Sequence, residues 1–229
     1  MKLSLWCVLL VGTLVGALAG TAEAQKLGNS FSASIGYWKP SLEEANDALE
    51  FLAKRLEDDG INPRGDDKFS GNFVFSGTFA FGLNDRMALQ GELAYWKKTI
   101  EQTASEVDGE ANASIRIIPV TASIIYYLGD LKASARPYVG GGAGLAFTNV
   151  AVEANTDSDD FKADDSGSSL LLQFLGGVEF TFSEKATFFA EAAYVSGKFN
   201  VKERQNDIDE DVSLAGLKVK GGVRLSLGN

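Results

Sequence analysis

The chain has 229 residues, a formal net charge of −10 and no histidine. The negative charge excludes a nucleic-acid-binding role, because the protein would repel phosphate. The lack of histidine removes the Ser/His hydrolase arrangement and the commonest zinc ligands, and a single cysteine, Cys7, excludes a disulfide framework.

The first residues have the pattern of a secretory signal peptide. A charged start and an apolar run lead to a small-residue cleavage site at Ala22-x-Ala24. The alternative is a membrane anchor that is retained. We disfavour it because of the cleavage site and because the mature sequence has no second apolar run of that length. We predict a signal peptide over residues 1–24 and one mature domain over residues 25–229, which contains no cysteine.

Eight segments of the mature chain alternate large apolar residues with small or polar ones. A period of two predicts strands with two different faces. The clearest segment places Phe73, Phe75 and Phe79 on one face and Ser76 and Thr78 on the other. In chain order the segments are residues 31–37, 69–81, 87–98, 117–128, 137–147, 170–182, 187–199 and 213–227.

These apolar faces are too many, and the segments too long, for an ordinary soluble sheet. The connections also alternate in length. Residues 84–86, 129–136 and 183–185 are short connections, whereas residues 40–67, 99–114, 148–168 and 200–212 are long. We therefore predict an all-β fold, an eight-stranded antiparallel transmembrane β-barrel with short periplasmic turns and long extracellular loops. A soluble lipocalin-like barrel, with the phenylalanines facing inward, is the alternative.

The first long connection predicts a short amphipathic helix. Its apolar residues Leu42, Ala45, Leu49, Leu52 and Leu56 are three and four apart. We favour a helix that caps the loop and packs on its neighbours over a helix that binds a partner.

The alternation predicts a polar network inside the barrel. Its predicted members are Gln90, Glu92, Gln173, Glu179, Glu191, Lys218, Lys220 and Arg224. Opposite charges in so narrow a space should pair, because isolated buried charge is costly. If pairing of the last two strands starts near Phe199 and Val212, Glu191 lies opposite Lys220. We favour a salt-bridged plug that fixes the strand register; a gated narrow pore and an acid/base pair of Glu92 with Glu191 are the alternatives.

Two further charge patterns lie nearer the loops. Residues 41–67, 101–112, 149–167 and 200–211 hold 24 of the 30 acidic residues of the mature chain. We favour solvated charge over weak Ca²⁺ or Mg²⁺ binding there and predict no metal site, because the runs Asp157–Asp160 and Asp164-Asp165 lack the spacing of a calcium loop.

A cationic rim is predicted at the outer ends of the strands. Its residues are Lys39, Lys68, Lys97, Lys98, Arg116 and Lys198, and an interfacial aromatic belt is predicted at Tyr37, Trp38, Tyr95, Trp96 and Tyr194. The rim should meet the phosphates of lipopolysaccharide; ordinary snorkelling without lipid recognition is the alternative.

Three segments carry a resemblance to a known family. The run Pro137–Leu145, the run Phe189–Tyr194 and the closing strand resemble small OmpA/OmpX-type outer-membrane β-barrels over nearly all of residues 25–229. The resemblance implies a multi-pass protein of the bacterial outer membrane that is assembled by the barrel-assembly machinery, although this chain ends Gly228-Asn229 where the family usually ends on an aromatic residue. It implies no cofactor and no enzyme activity, because the barrel enzymes of this kind rely on histidine.

We expect a structural role in envelope integrity, with the acidic loops as a contact surface for an unknown ligand. An OmpW-like narrow channel for small or apolar solutes is the alternative.

Overall fold

The computed structural model describes most of the chain beyond residue 26. The described residues are 27–43, 45–47, 50–51, 54, 63–65, 68–104, 109–130, 133–155, 160–183, 185–202 and 209–227. The predicted signal peptide lies outside them. No helix among them is long and apolar enough to cross a membrane.

Ten β-strands form within these residues. They are β1 (Ser30–Pro40), β2 (Pro63–Gly65), β3 (Asn72–Gly82), β4 (Met87–Ala104), β5 (Gly109–Tyr127), β6 (Ala135–Asn155), β7 (Asp160–Thr181), β8 (Ala186–Lys202), β9 (Asp209–Ser213) and β10 (Gly216–Ser226). The two short strands extend longer ones: β2 pairs with the far end of β4, and β9 pairs with the far end of β8.

The remaining eight strands close into an antiparallel barrel. Each strand pairs with the next along the chain, and β10 pairs with both β8 and β1. Closure follows from the polarity of the backbone, because every N–H and C=O group of a strand in hydrocarbon needs a partner on a neighbouring strand. The predicted fold class and strand number are confirmed.

The two ends of the barrel differ. Residues 83–86, 128–134 and 182–185 connect strands at one end, which we call the turn end, and the longer connections meet at the opposite loop end. At the turn end, Asn84 Oδ1 accepts hydrogen bonds from the backbone N–H groups of Arg86 and Met87, both at 2.8 Å. Such side-chain to backbone bonds stabilise tight turns.

The strands run farther toward the loop end than the sequence indicated. The expected long loops at residues 99–114, 148–168 and 200–212 consist largely of paired strand: β6 and β7 stay paired from Ala135↔Phe180 to Asn155↔Asp160. The alternation of apolar and polar residues ends at the edge of the apolar belt on the outer wall. The backbone pairing of the strands continues beyond that edge. The predicted extents of these loops are therefore wrong.

The barrel has an apolar outer surface. Phe73, Phe75 and Phe79 on β3 are 60%, 55% and 43% exposed. The side chain of Ser76 points to the inside of the barrel, where its hydroxyl oxygen lies 2.6 Å from that of Ser34. Exposed aromatic and aliphatic side chains recur on all eight long strands, so the apolar face points to lipid and the lipocalin-like alternative does not hold.

The predicted second segment starts too early. That segment was expected to begin at Phe69, but β3 begins at Asn72 and Phe69 is 6% exposed. Its backbone N–H donates to Asn46 Oδ1 (2.6 Å), and Asn46 Nδ2 donates to the Phe69 carbonyl (3.2 Å). These two bonds attach the strand entry to the first connection.

The lumen near the loop end is filled by an apolar cluster. Its buried members are Trp38, Leu42, Phe69, Val74, Ala94, Trp96, Ile100, Ile115, Ile117, Ala146, Leu171, Val195, Val212 and Leu214. The rings of Trp38 and Trp96 pack edge to face with centroids 6.1 Å apart, and Trp96 Nε1 donates to the Trp38 carbonyl at 3.2 Å. Both tryptophans lie on inward-facing rows of their strands, so their placement in the interfacial belt was wrong; Tyr37, Tyr95 and Tyr194 do face outward.

The predicted helix follows β1. Residues 43, 45–47, 50–51 and 54 are helical, and Leu42, with φ of 46°, turns the chain into it. Leu42 is fully buried in the apolar cluster and Ala45 packs against it. The start of the helix therefore covers the lumen, as expected for a cap. The other three leucines of the predicted apolar stripe lie outside the described residues.

Glycines on β6 leave room for the lumen contents. A Cβ atom on inward-facing Gly142 would lie 2.2 Å from the Ala122 carbonyl oxygen and the Ser123 hydroxyl, whereas one on outward-facing Gly141 has no contact under 3.5 Å. Only the inward-facing one of these two positions has no room for a side chain, which shows that the inner wall is closely packed.

We predict that charge on the lipid face destabilises the barrel. Replacing Phe75 by arginine should lower the free energy of unfolding by about 2–4 kcal/mol, because a guanidinium near the middle of a bilayer loses its hydration. Denaturant-induced unfolding in lipid vesicles measures the change. Phe75→Leu, which stays apolar, is the control; equal stability of the two variants would show that position 75 does not contact lipid.

Candidate functional site

The centre of the lumen holds a chain of buried charges. Lys218 Nζ lies 3.1 Å and 3.2 Å from the two oxygens of Glu92, and Lys220 Nζ lies 2.9 Å from Glu92 Oε1. Lys220 Nζ also lies 3.1 Å from Glu191 Oε1, and the Tyr138 hydroxyl donates to Glu191 Oε2 at 3.0 Å. All four charged side chains are at most 4% exposed. Each charge therefore has at least one opposite charge in contact, which offsets part of its desolvation cost.

The strand register brings these groups together. Lys220 on β10 pairs directly with Glu191 on β8, and both residues lie on inward-facing rows. Directly opposed side chains on adjacent strands are within contact distance. Glu92 comes from β4, on the other side of the lumen, so Lys220 connects opposite walls of the barrel.

A second cluster lies toward the turn end. Arg224 contacts Glu179 and donates through Nη2 to Gln90 Oε1 at 3.1 Å. The Tyr127 hydroxyl accepts from Arg224 Nη1 (2.8 Å) and donates to Glu179 Oε1 (2.9 Å). Four strands contribute to this cluster, so it also joins separate walls.

Gln173 makes a third contact across the inner wall. Its Nε2 donates to the hydroxyls of Thr121 (3.0 Å) and Ser123 (2.8 Å) on β5. The structure thus places the eight residues of the predicted interior set inside the lumen, each 7% exposed or less: Gln90, Glu92, Gln173, Glu179, Glu191, Lys218, Lys220 and Arg224.

Sequence reasoning missed a fourth buried cation, Arg136. Its guanidinium carbon lies 4.0 Å from the centroid of the Tyr127 ring, and its Nε and Nη2 atoms have no hydrogen-bond partner among the described residues. The fifth segment was expected to begin at Pro137, two residues after the start of β6 at Ala135. Extending its alternation by one residue would have placed Arg136 on the inward face.

The tyrosine partners were also missed, because the predicted interior set contained only charged and amide side chains. Tyr127 and Tyr138 lie on inward rows and are 3% and 1% exposed. The alternation of β5, read through to its end, puts Tyr127 on the same face as Ser123 and supplies the signal that would have identified it.

The six residues of the predicted cationic rim do not share one surface of the barrel. Lys39, Lys97, Arg116 and Lys198 are exposed on outward-facing rows of four strands. Lys98 is half-buried and lies between Trp96 and Ile100, two inward-facing residues, so it does not share the outer face of Lys97. Lys68 lies before β3, and its Nζ is 3.8 Å from Glu50 Oε2 on the helix.

Glu50 connects the helix to the rim electrostatically. Lys54 Nζ donates to Glu50 Oε1 at 3.0 Å. This hydrogen bond, together with the charges of Lys54 and Lys68, lowers the pKa of Glu50 below its usual value. The pair is solvent-exposed, so it contributes little to stability.

Acidic residues form no metal cluster within the described part of the chain. No group of three or more His, Cys, Asp or Glu side chains there is arranged to hold an ion. Residues 157–159 of the predicted acidic run lie outside the described residues, and residues 160, 164 and 165 are strand positions of β7.

Sequence comparison identifies the family. Residues 7–220 match the family described as "Outer membrane protein beta-barrel domain". The chain belongs to this family. Its location in the bacterial outer membrane follows, so the turn end faces the periplasm and the loop end faces outward.

Several solved structures are similar to the chain. OprG from Pseudomonas aeruginosa is 14% identical, with a TM-score of 0.47 over 91% of this chain and 100% of that one. Neisserial surface protein A is 16% identical, with a TM-score of 0.45 over 88% of this chain and 99% of its own. Outer membrane protein W of E. coli is 14% identical, with a TM-score of 0.43 over 89% and 100%. No curated protein matches the sequence.

We predict that Glu191 and Lys220 are energetically coupled. Lys220→Met should lower the free energy of unfolding by about 3–5 kcal/mol, because it leaves Glu191 buried without a cation. Adding Glu191→Gln should restore part of that loss, because it removes the carboxylate that Lys220→Met leaves without a cation. Glu92 keeps Lys218 as its partner in both variants. A double-mutant cycle read by unfolding in detergent or lipid measures the coupling.

The exposed pair of Lys68 and Glu50 is the control for this cycle. The same kind of substitution there should leave stability nearly unchanged, because both groups are exposed to solvent. Strictly additive effects of Glu191→Gln and Lys220→Met would contradict an interacting pair in the lumen.

Proposed function

We propose that this protein is a closed structural barrel that supports the integrity of the outer membrane. The observation that carries the proposal is the filling of the lumen at two levels. Charged and polar side chains, packed with a smaller apolar group around Ile125 and Leu175, occupy it from the turn end to its centre, and the apolar cluster occupies it toward the loop end. An eight-stranded barrel encloses about enough space for side chains and little more.

The two levels oppose permeation for different reasons. Lys220 and Arg224 each join separate walls, so an ion passing the centre would have to displace paired charges. The apolar cluster offers no hydrogen-bonding replacement for the hydration shell of an ion. Leu42 and the start of the helix add a cover at the loop end.

The outer part of the barrel supports a role in surface contact. β4 and β5 keep one register from Met87↔Tyr126 to Ala104↔Gly109, far beyond the apolar belt, with an interruption at Ala94 and Tyr95. Most acidic residues of the chain belong to these outer segments. We infer that the acidic segments of the loop end, some of which are paired strands, present a charged surface to partners outside the cell, and that a cationic or cation-bridged partner fits its charge.

The closing strand supports assembly by the barrel-assembly machinery. β10 alternates buried Lys218, Lys220 and Arg224 with exposed apolar side chains, including Leu225 at 49% exposure. We infer that this two-faced strand, whose pairing completes the barrel, is the segment that the machinery engages. No catalytic role is part of the proposal, because the chain has no histidine and its paired lumen carboxylates are not open to water.

A narrow channel is the second candidate, favoured by one observation. Arg136 leaves two nitrogen atoms without a partner, and Thr148, Ser169 and Gln173 each leave an oxygen unpartnered, among the described residues. Buried polar atoms of this kind are commonly satisfied by water. A file of water along these atoms would give a path that prefers anions near Arg136.

Conductance separates the two candidates. The refolded wild-type protein should show no stepwise current in planar bilayers, because both levels of the lumen are packed. Trp38→Ala combined with Trp96→Ala should produce current steps by hollowing the apolar cluster. Leu170→Ala, on the lipid face, is the control. Wild-type steps whose anion preference falls in Arg136→Gln would favour the channel instead.

A deletion strain tests the envelope role. Loss of the protein should raise leakage of a periplasmic marker enzyme and sensitivity to detergent, and expression of the wild type should reverse both. The doubly substituted Trp38→Ala, Trp96→Ala protein should restore integrity less well than Leu170→Ala at matched amounts in the membrane. Unchanged leakage in the deletion strain would contradict a structural role.

A further inference from the structure

A groove of about 410 Å³ lies on the outer wall of the barrel, across β5, β6 and β7. It is lined by Arg116, Ile118, Phe147, Thr148, Asn149, Ser166, Gly167 and Ser168. The sequence explains the depression, because the small residues of β7 lie beside the larger side chains of β5 and β6. Thr148 is the buried, lumen-facing member of this lining, and no residue of the lumen ion pairs takes part in it.

A polar row crosses the wall at this groove. Four outward-facing residues follow one another as direct cross-strand partners: Lys97 on β4, Arg116 on β5, Asn149 on β6 and Ser166 on β7. Two cations therefore lie side by side, followed by an amide and a hydroxyl. Direct neighbours on adjacent strands are close enough to act on one ligand.

Apolar residues lie directly on the membrane side of this row. Ile118 lies two residues from Arg116 on β5, and Phe147 lies two residues from Asn149 on β6. Both line the part of the groove nearer the membrane. Leu170, a further step down β7, is 64% exposed. The groove thus spans the change from apolar to polar outer wall, which is the depth at which lipid phosphates lie.

Arg116 is oriented for an anion. Its Nη2 donates to Asn149 Oδ1 at 3.2 Å, which fixes the plane of the guanidinium on the wall. A guanidinium carries five N–H donors, and the hydrogen bond to Asn149 uses one of them. A guanidinium fork matches the oxygens of a phosphate, and an orientation fixed in advance lowers the entropy lost on binding.

We propose that this groove binds the phosphate of an outer-leaflet lipid, with Arg116 as the principal ligand and Lys97 as the second cation. Ser166 and Ser168 supply hydroxyls at the side of the headgroup. The acyl chain lies over Ile118 and Phe147 and continues down toward Leu170. A phosphate monoester fits best, because its charge of about −1.5 to −2 matches two cations.

A membrane lipid fits the groove better than free phosphate does. Ile118 and Phe147 give the groove an apolar part, which a small anion would leave uncovered. A lipid covers them and neutralises the cations at the same time. The strongly acidic surface farther out would repel a soluble anion, whereas a lipid reaches the groove from within the membrane.

Native mass spectrometry of the refolded full-length protein in detergent tests this site, with monophosphoryl lipid A as the probe. Arg116→Gln should bind the probe about tenfold more weakly, the effect of losing a charge-assisted hydrogen-bond pair. Arg116→Lys should be intermediate, because it keeps the charge and loses the fork. The dephosphorylated form of the same lipid should bind the wild type no better than the phosphorylated form binds Arg116→Gln.

Lys39→Gln is the matched control, since Lys39 is an exposed outward cation on β1, on the opposite side of the barrel. Its affinity for the probe should stay within about twofold of wild type. An equal loss in Lys39→Gln, or equal binding of the dephosphorylated lipid, would overturn the site. Displacement of the lipid by inorganic phosphate at comparable concentration would assign the groove to a free anion and also overturn the proposal.

Discussion

The fold depends on one constraint, that no strand of the membrane-spanning sheet is left with an unpaired edge. Hydrocarbon offers no hydrogen-bond partner, so the sheet has to close, and it does so where β10 pairs with both β1 and β8. Closure fixes the register at that seam, which sets Lys220 opposite Glu191. It also fixes which face of every strand meets lipid and which meets the lumen.

A narrow closed barrel leaves its inward side chains little choice of partner. Charges from opposite walls are brought within contact distance, so Lys220 reaches both Glu92 and Glu191. The same confinement explains why Gly142 tolerates no side chain. The interior is therefore a rigid filler that ties walls together, and this property connects the packing of the lumen to a structural role for the protein.

The loop end reverses the arrangement of charge. Outside the apolar belt the outer wall becomes polar at Lys97, Arg116 and Ser166, while the lumen becomes apolar around Trp38 and Trp96. A strand that leaves the membrane meets water on its outer face and buries its inner face, as in a soluble barrel. The row from Lys97 to Ser166 lies at this reversal, which is why one groove has both cationic and apolar lining.

The sequence by itself determined the period-two alternation, and with it the barrel, the lipid face of Phe75 and the inward face of Glu191, because side-chain direction in a strand is a local property. Strand ends were not determined, since pairing continues to Asn155 after the alternation has ended. The tertiary structure alone decided that Trp96 meets Trp38 and that Nε and Nη2 of Arg136 have no hydrogen-bond partner among the described residues, because both depend on which distant strands closure brings together.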